Sequence, residues 1–379
     1  MQNKKEVNWG PAIVLITYHI LLLFSLPVYF YYNTPSLNLI SISVVLLYLT
    51  GLSITGGYHR LYSHRSYRAH PIVEAVILFF GAMAGQGSAL RWAFDHRLHH
   101  AHVDTDNDPY SIEKGFLYAH FLWILEKPRK IDSKVVPDLL KNKLVMFQHR
   151  FIELLMVATN VMAVLIVGGI LNDYWGAFFI ALWLRLFSLH HFTWFINSLA
   201  HTWGDKPFSQ EQSAVDNYFL SILTFGEGYH NYHHTFANDY RNGVRWFHFD
   251  PTKWLIWTLH KLGLASDLKK MSPYAIKRKM VLEHKNLLLT QIQNYWNSKT
   301  DELERQVNEM SERIVSKISD FSQLKERYYQ IKHSNAGKDT IKAMRQEIRL
   351  LKLSLREDWR EWMRLSQSIL DGQPELVKA

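Results

Sequence analysis

Over the first 260 residues the apolar positions fall in long runs, with polar positions gathered at their ends. Pro11 to Tyr32 is the first run, and Leu37 to Gly57 the second. Phe151 to Leu171 and Tyr174 to Ile196 follow, joined by the minimal turn Asn172-Asp173. Each has about the 20 residues that an α-helix needs to cross a hydrocarbon core. The pattern therefore predicts four spans, at about 11–32, 37–57, 151–171 and 174–196, paired into two helical hairpins. Lys4 and Lys5 give the first run the basic start of a signal peptide, but it is too long and lacks a small-residue cleavage site. Beyond about Asp267 the pattern changes to charged stretches with apolar residues at 3–4 spacing, Lys299 to Lys332 and Lys338 to Leu370, separated by residues 333–337. That spacing predicts an antiparallel helical hairpin with a narrow apolar seam, interrupted by Lys317 and Asp358. The predicted fold is thus an all-α membrane protein. A membrane domain of residues 1–265 has a helical cap of residues 58–150 and 197–265, and residues 266–379 form the charged helical extension.

Charge orients this arrangement. The loops within the hairpins carry no lysine, whereas residues 59–150 and those after His201 hold most of the Lys and Arg. By the positive-inside bias the cap and both termini lie in the cytosol, under a bacterial inner membrane or the endoplasmic reticulum. The net charge of +9 reads as attraction to anionic headgroups. Nucleic-acid binding ranks low, since the tail has nearly as many acidic as basic residues. The chain has no cysteine, which excludes disulfides, iron–sulfur clusters and thiol catalysis.

The candidate chemistry is histidine. Four short clusters hold His59 and His64; His96, His99 and His100; Asn197 and His201; and His230, His233 and His234. In the second and fourth clusters the i, i+3, i+4 spacing places three imidazoles on one helical face. His59 and His64 lie about 140° apart on an α-helix, so they require different metals or a helix that ends between them. Nine nitrogen ligands without thiolate suit iron, copper, nickel or zinc, and exceed the three or four of one zinc site, so two metals is the economical count. His59 and His201 sit just beyond the second and fourth spans, at the mouth of the bundle. The other histidines, His190-His191 included, are read as ordinary, and Arg185 inside the last span as snorkelling or paired. The apolar stretch Ile72 to Leu90 is broken by Glu74, Gly81, Gly85, Gln86, Gly87 and Ser88. It reads as a re-entrant or interfacial helix, because a crossing would put the first two clusters on opposite sides of the membrane.

From about Thr55 to Leu264 the chain resembles the membrane-bound fatty acid desaturases, specifically the stearoyl-CoA (Δ9) branch. The motifs are Gly57-Tyr-His-Arg-Leu-Tyr-Ser-His-Arg65, Trp92-Ala-Phe-Asp-His-Arg-Leu-His-His100, Lys143-Leu-Val-Met-Phe-Gln-His-Arg150, Thr193-Trp-Phe-Ile-Asn-Ser-Leu-Ala-His201 and Gly226-Glu-Gly-Tyr-His-Asn-Tyr-His-His-Thr235. The resemblance implies a cytosolic cap holding two iron ions on His59, His64, His96, His99, His100, His201, His230, His233 and His234. Asn197 would hold a metal-bound water. A bent acyl tunnel is implied at Gln86, Trp92, Thr193 and Trp194, with its floor near Leu47 and Gly51. Asp95 and Glu227 flank ligands and could orient imidazole N–H groups.

The activity implied is O2-dependent introduction of a cis double bond, at Δ9, into a saturated acyl thioester, acyl-CoA first. The alternatives are an acyl-lipid or acyl-carrier-protein substrate, or a di-iron hydroxylase. Phe94 stands where animal acyl-CoA enzymes have arginine, and Lys127-Pro128 where they have a basic pair. No His-Pro-Gly-Gly haem signature is present, so neither a fused cytochrome b5 nor a flavin is expected. Electrons would come from an external cytochrome b5-like or ferredoxin-like donor. The C-terminal hairpin is read as solvated, with self-association or donor docking as the alternative.

Overall fold

The computed structural model describes residues 6–295, 300–334 and 338–371. Its first long helix is α1 (Trp9–Tyr32). The second, α2 (Leu37–Leu52), starts at Ser36, whose hydroxyl accepts the Leu39 N–H at 3.2 Å. At Ser53 its winding loosens into a π-helical run that ends at Ser63. A two-residue strand β1 (Arg68–Ala69) leads to α3 (Pro71–Met83). At 13 residues, α3 reaches about 20 Å, less than the ~30 Å of a hydrocarbon core.

Ser88 caps α4 (Ala89–His102) by accepting the Arg91 N–H. After α5 (Phe116–His120) and α6 (Lys143–Arg150) comes the third long helix, α7 (Ile152–Leu171). Asn172 turns the chain in the left-handed region at φ 51°, and Asp173 caps the next helix through the Gly176 N–H at 2.7 Å. Both residues suit those positions, since short polar side chains tolerate left-handed backbone and satisfy first-turn donors. The fourth long helix comprises α8 (Tyr174–Gly176), the π-helical run Ala177–Leu184 and α9 (Arg185–Asn197). Among the described residues four helices, Trp9–Tyr32, Leu37–Ser63, Ile152–Leu171 and Tyr174–His201, are thus long and apolar enough to cross a membrane. With the family assignment below, they fit an integral membrane protein.

Short helices complete this part: α10 (Tyr218–Leu223), α11 (His230–Thr235) and α12 (Pro251–Lys261). Strand β2 (Ala265–Ser266) then pairs antiparallel with β1, Ala69 opposite Ala265. The largest core cluster lies where α2, α3, α4, α9 and α12 meet, around Ile54, Tyr58, Leu90, Ala93, Leu189 and Ile256. Arg185 is 3% exposed and does not snorkel. Its guanidinium donates to the Ala181 carbonyl at 2.8 Å and to Asn160 Oδ1. Asn160 in turn donates to the Met83 carbonyl at 3.1 Å, and His190 Nε2 to the Ala84 carbonyl at 2.9 Å. The Met83 and Ala84 carbonyls at the end of α3 are therefore satisfied by side chains, as a helix ending among apolar spans requires.

The chain forms two compact units. Unit 1 is residues 1–207 and 211–270, and unit 2 is residues 208–210 and 271–379. Among its described residues unit 2 holds three helices, α13 (Pro273–Tyr295), α14 (Thr300–His333) and α15 (Lys338–Leu370). The periodicity argument assigned only the last two. Its core includes Leu288, Val307, Ile314, Phe321, Leu355, Trp362 and Leu365. The two charges that interrupt the seam meet, with Lys317 Nζ 2.6 Å from Asp358 Oδ2 and Arg313 Nε 3.2 Å from Asp358 Oδ1.

Candidate metal centre

The π-helical winding of residues 53–63 decides where the first histidines point. In a π-helix the i→i+5 hydrogen bond brings residues five apart onto one face, and the His64 N–H bonds the His59 carbonyl at 3.1 Å. His59 and His64 therefore face the same point. The α-helical argument for separate metals fails at this place. His96, His99 and His100 come from the last turns of α4, His201 from the turn after α9, and His230, His233 and His234 from α11.

Two groups result. His59, His64, His96, His100 and His233 form one, and His99, His201, His230 and His234 the other; within each, the ligand atoms lie within 4.8 Å of one another. His100 and His234 stack across the two groups at 4.3 Å between ring centroids. The Nε2 atoms close on each other: His64 to His96 at 2.8 Å, His59 to His233 at 3.0 Å, His233 to His100 at 3.0 Å. His99 lies 3.3 Å from His234, and His230 lies 3.1 Å from both His201 and His234.

The outer nitrogens show what this convergence is for. His99 Nδ1 sits 2.9 Å from Asp108 Oδ2, and His59 Nδ1 sits 2.9 Å from Glu227 Oε2. His96 Nδ1 meets the Tyr110 hydroxyl at 3.0 Å, and His201 Nδ1 meets Ser213 Oγ at 2.6 Å. A neutral imidazole has one N–H, and a carboxylate only accepts. The Asp108 carboxylate therefore accepts from His99 Nδ1, which turns the Nε2 edge of that ring into the cluster. Burial first, and then neighbouring imidazoles, hold His64, His96, His100, His230, His233 and His234 well below the usual histidine range. Unprotonated nitrogens converging at this distance fit two cations, one per group.

Glu227 is itself held. Burial alone would raise its carboxyl, but the Arg60 guanidinium and His59 bring it below the ordinary value. Arg60 Nη2 donates to it at 2.8 Å and Asn242 Nδ2 at 2.6 Å. Arg60 also bridges to Asp250, whose carboxylate accepts the Asn242, Gly243 and Lys253 N–H groups.

Asp95 takes a different place: it faces Arg91 at 3.6 Å, and the carboxylate against an imidazole of α4 is Asp108. Spacing along α4 pointed to Asp95 because it adjoins His96. Asp95 is raised to about 6 by burial, which Arg91 partly offsets. The acidic run Asp104-Thr-Asp-Asn-Asp108 directly after the second cluster is the signal that could have found Asp108. Ser213, which links His201 to Asp104, lies in a loop with no such signal.

Beside the first group, Gln86 Nε2 donates to Thr193 Oγ1 at 2.9 Å, and Trp92 Nε1 points to Gln86 Oε1 at 3.4 Å. Gly85 and Gly87 present Gln86 in the left-handed region, at φ 69° and 81°. Trp92 stacks on His96 at 4.9 Å. Trp194 is buried against His190, 5.4 Å between ring centroids, and so lies round α9 from Thr193. Gly51 has the Phe225 ring against it, so close that a Cβ there would come within 2.3 Å, while Leu47 packs on the same core. Asn197 ends α9, four residues before His201. Its side chain makes no hydrogen bond among the described residues.

Comparison with known proteins extends these observations. Residues 36–265 match the model of the family described as "Fatty acid desaturase". A Schizosaccharomyces pombe "Probable acyl-CoA desaturase" is 40% identical over 296 residues, 76% of this chain and 60% of that protein. "Acyl-CoA desaturase 1" of Saccharomyces cerevisiae is 43% identical over 248 residues, 65% of this chain and 49% of that protein. The chain thus spans between half and three-fifths of the length of these two yeast relatives. A Nostoc "sn-2 palmitoyl-lipid 9-desaturase" is 36% identical over 278 residues, 72% of this chain and 93% of that protein. The matched region carries all nine converging imidazoles and three of the four long apolar helices, and the chain belongs to the fatty acid desaturase family.

Proposed function

We propose that the protein is an O2-dependent acyl desaturase that introduces a cis double bond at Δ9 into a saturated fatty acyl thioester, acyl-CoA first. Overall, two hydrogens leave adjacent methylenes and, with two electrons and two protons from outside, O2 becomes two waters. The observation that carries this reading is the pair of converging imidazole groups beside Trp92, Gln86 and Thr193. Removing hydrogen from an unactivated methylene is beyond amino-acid side chains, and two iron ions on the nine histidines would supply the activation of O2.

The chain's own residues have four tasks. Glu227, Asp108, Tyr110 and Ser213 fix ring orientation and tautomer from the Nδ1 side. Asn197 leaves its amide available to a water at the second group. Gln86, Thr193, Trp92 and Trp194 shape the wall that seats the methylenes, with Leu47 and Gly51 nearer the chain end. The buried rings exclude bulk water, which protects the centre from side reactions. In this reading the four apolar helices cross the bilayer, residues 58–150 and 197–265 cap them on the cytosolic side, and an external cytochrome b5-like or ferredoxin-like donor supplies electrons. The first 265 residues carry the reaction, and residues 266–379 are a helical extension without chemistry of their own.

A phospholipid-borne acyl group is the second reading of the carrier, favoured by the Nostoc relative, which the chain covers nearly in full. Expression in a host lacking monounsaturated fatty acids, followed by lipid analysis, tests the reaction. A product two hydrogens lighter with a 9,10 double bond is expected, whereas a product one oxygen heavier identifies a hydroxylase and no product refutes both. Supplying purified enzyme with acyl-CoA and with phospholipid, each in turn, separates the carriers.

A further inference from the structure

Two short helices of unit 1 turn apolar faces outward, next to the second long helix. On α10, Phe219 is 70% exposed, and Ile222 and Leu223 are exposed beside it. On α12, Trp254 and Trp257 are exposed one turn apart, Trp257 at 51%. Lys261 Nζ sits 5.5 Å from the centre of the Trp257 ring. The opposite face of α12 is buried through Ile256 and Thr252.

Their depth is fixed by contacts with that long helix. Phe225, two residues past α10, is wedged against Gly51 and stacks edge-on with Tyr48 at 5.3 Å. Gly51 is 14 residues along from Leu37, which at 1.5 Å per residue is ~21 Å from the far end of a span whose hydrocarbon is ~30 Å thick. Thr252, at the start of α12, bonds Thr55 at 2.6 Å, and by the same measure Thr55 lies at ~27 Å, near the hydrocarbon boundary. The end of α10 thus falls within the bilayer's apolar depth, and α12 at the headgroup level. Tryptophan with lysine is the side-chain signature of that level.

We propose that the outward faces of α10 and α12 are seated in the leaflet on the metal side, as an interfacial anchor of the cap. The occupant is phospholipid, because the faces continue the lipid-facing surface of Leu37–Ser63 at a depth where no water-borne partner reaches. The anchor sets the height of the metal centre above the hydrocarbon. It rests on the reading of the four apolar helices as membrane spans.

The test uses the absence of cysteine. Single substitutions Phe219→Cys, Trp257→Cys, Leu165→Cys on α7 and Asp106→Cys on the exposed cap are nitroxide-labelled in the full chain, in nanodiscs of phosphatidylcholine and phosphatidylglycerol. Collision with O2 is then compared with collision with a nickel chelate. The expected result is O2-dominated collision at 165 and 219, a ratio at 257 between those of 165 and 106, and nickel-dominated collision at 106. Nickel collision at 219 or 257 as strong as at 106, with 165 shielded, overturns the anchor alone and leaves the face to a water-borne protein. Nickel access at 165 overturns the span reading, and the anchor with it. Ile222→Cys and Trp254→Cys repeat the measurement should either first position unfold the chain.

Discussion

At the scale of single residues, the outer nitrogens of the histidines carry as much information as the inner ones. Asp108 accepts from His99 Nδ1 and also from the backbone N–H groups of Asp104 and Tyr110, so its carboxylate is fixed before any metal arrives. Asp108→Asn can present an N–H where His99 needs an acceptor. Losing such a partner costs roughly 10–100-fold in metal affinity. We expect Asp108→Asn to lose one of two metals on dialysis against a chelator at which the parent keeps both, measured as metal per chain. Asp216 gives a pH effect of opposite sign to that of the histidines. Burial, and then Asp205, push its carboxyl from 3.8 to about 7, against the N–H donation of Tyr232. A raised carboxyl binds its proton more tightly folded than unfolded, so its stabilisation is complete below pH 3.8 and is lost as pH rises through about 7. Asp216→Asn keeps the acceptor oxygen and removes the charge. It should raise the melting temperature more at pH 8.5 than at pH 5. The depressed histidines work the other way: stability is present above the ordinary value of 6.5 and is lost as pH falls below it, because only the unfolded chain takes up the protons. The histidines of the second and fourth clusters could be read from i, i+3, i+4 spacing. Asp108 and Ser213 could not, since their positions depend on how loops return to α4 and α9.

At the scale of elements, two spacings mislead a reader who assumes α-helix throughout. Five residues separate His59 from His64, and only the loosened winding from Ser53 to Ser63 brings both rings to one group. Nothing in Ser53-Ile-Thr-Gly-Gly-Tyr58 dictates that winding by propensity; ring convergence and the packing of Gly57 under Ile77 and Gly81 under Tyr58 accompany it. In unit 2 the apolar seam was legible, but Lys317 and Asp358 read as interruptions. They meet across α14 and α15 at 2.6 Å, and Ser354 accepts a second proton from Lys317 at 2.6 Å. Removing Lys317 leaves Asp358 with Arg313 alone. Lys317→Met should therefore cost about 1–3 kcal/mol, whereas Lys317→Met with Asp358→Leu should return to within about 1 kcal/mol of the parent, because an apolar pair can replace a buried ionic one. Denaturant unfolding followed by hydrogen exchange across residues 300–334 and 338–371 reports both values. Equal losses in the single and double variants would show that the pair is not coupled.

At the scale of the whole molecule, the nine converging imidazoles connect segments far apart in the chain, and all of them belong to unit 1. His59 and His233 are 174 residues apart, and His99 and His234 are 135 apart, yet their ring nitrogens are within 3.3 Å. Closing loops of that length costs chain entropy, and bare lone pairs brought together add repulsion, so a bound cation contributes to folding as well as to chemistry. A ligand that binds only the folded form stabilises it by RT ln(1 + [L]/Kd), about 4 kcal/mol at a thousandfold excess over Kd. Among the described residues, unit 2 contributes none to either group, and its three helices have a core of their own. Metal removal should therefore act on one part of the chain. Hydrogen exchange of the iron-loaded protein, compared with the chelator-treated protein, should lose protection at residues 59–64, 96–100, 199–201 and 230–235. Protection at 303–330 and 341–369 should be unchanged. Uniform loss across both regions would mean that the two units fold as one cooperative body, and no loss in the first region would mean that the imidazoles hold their places without a cation.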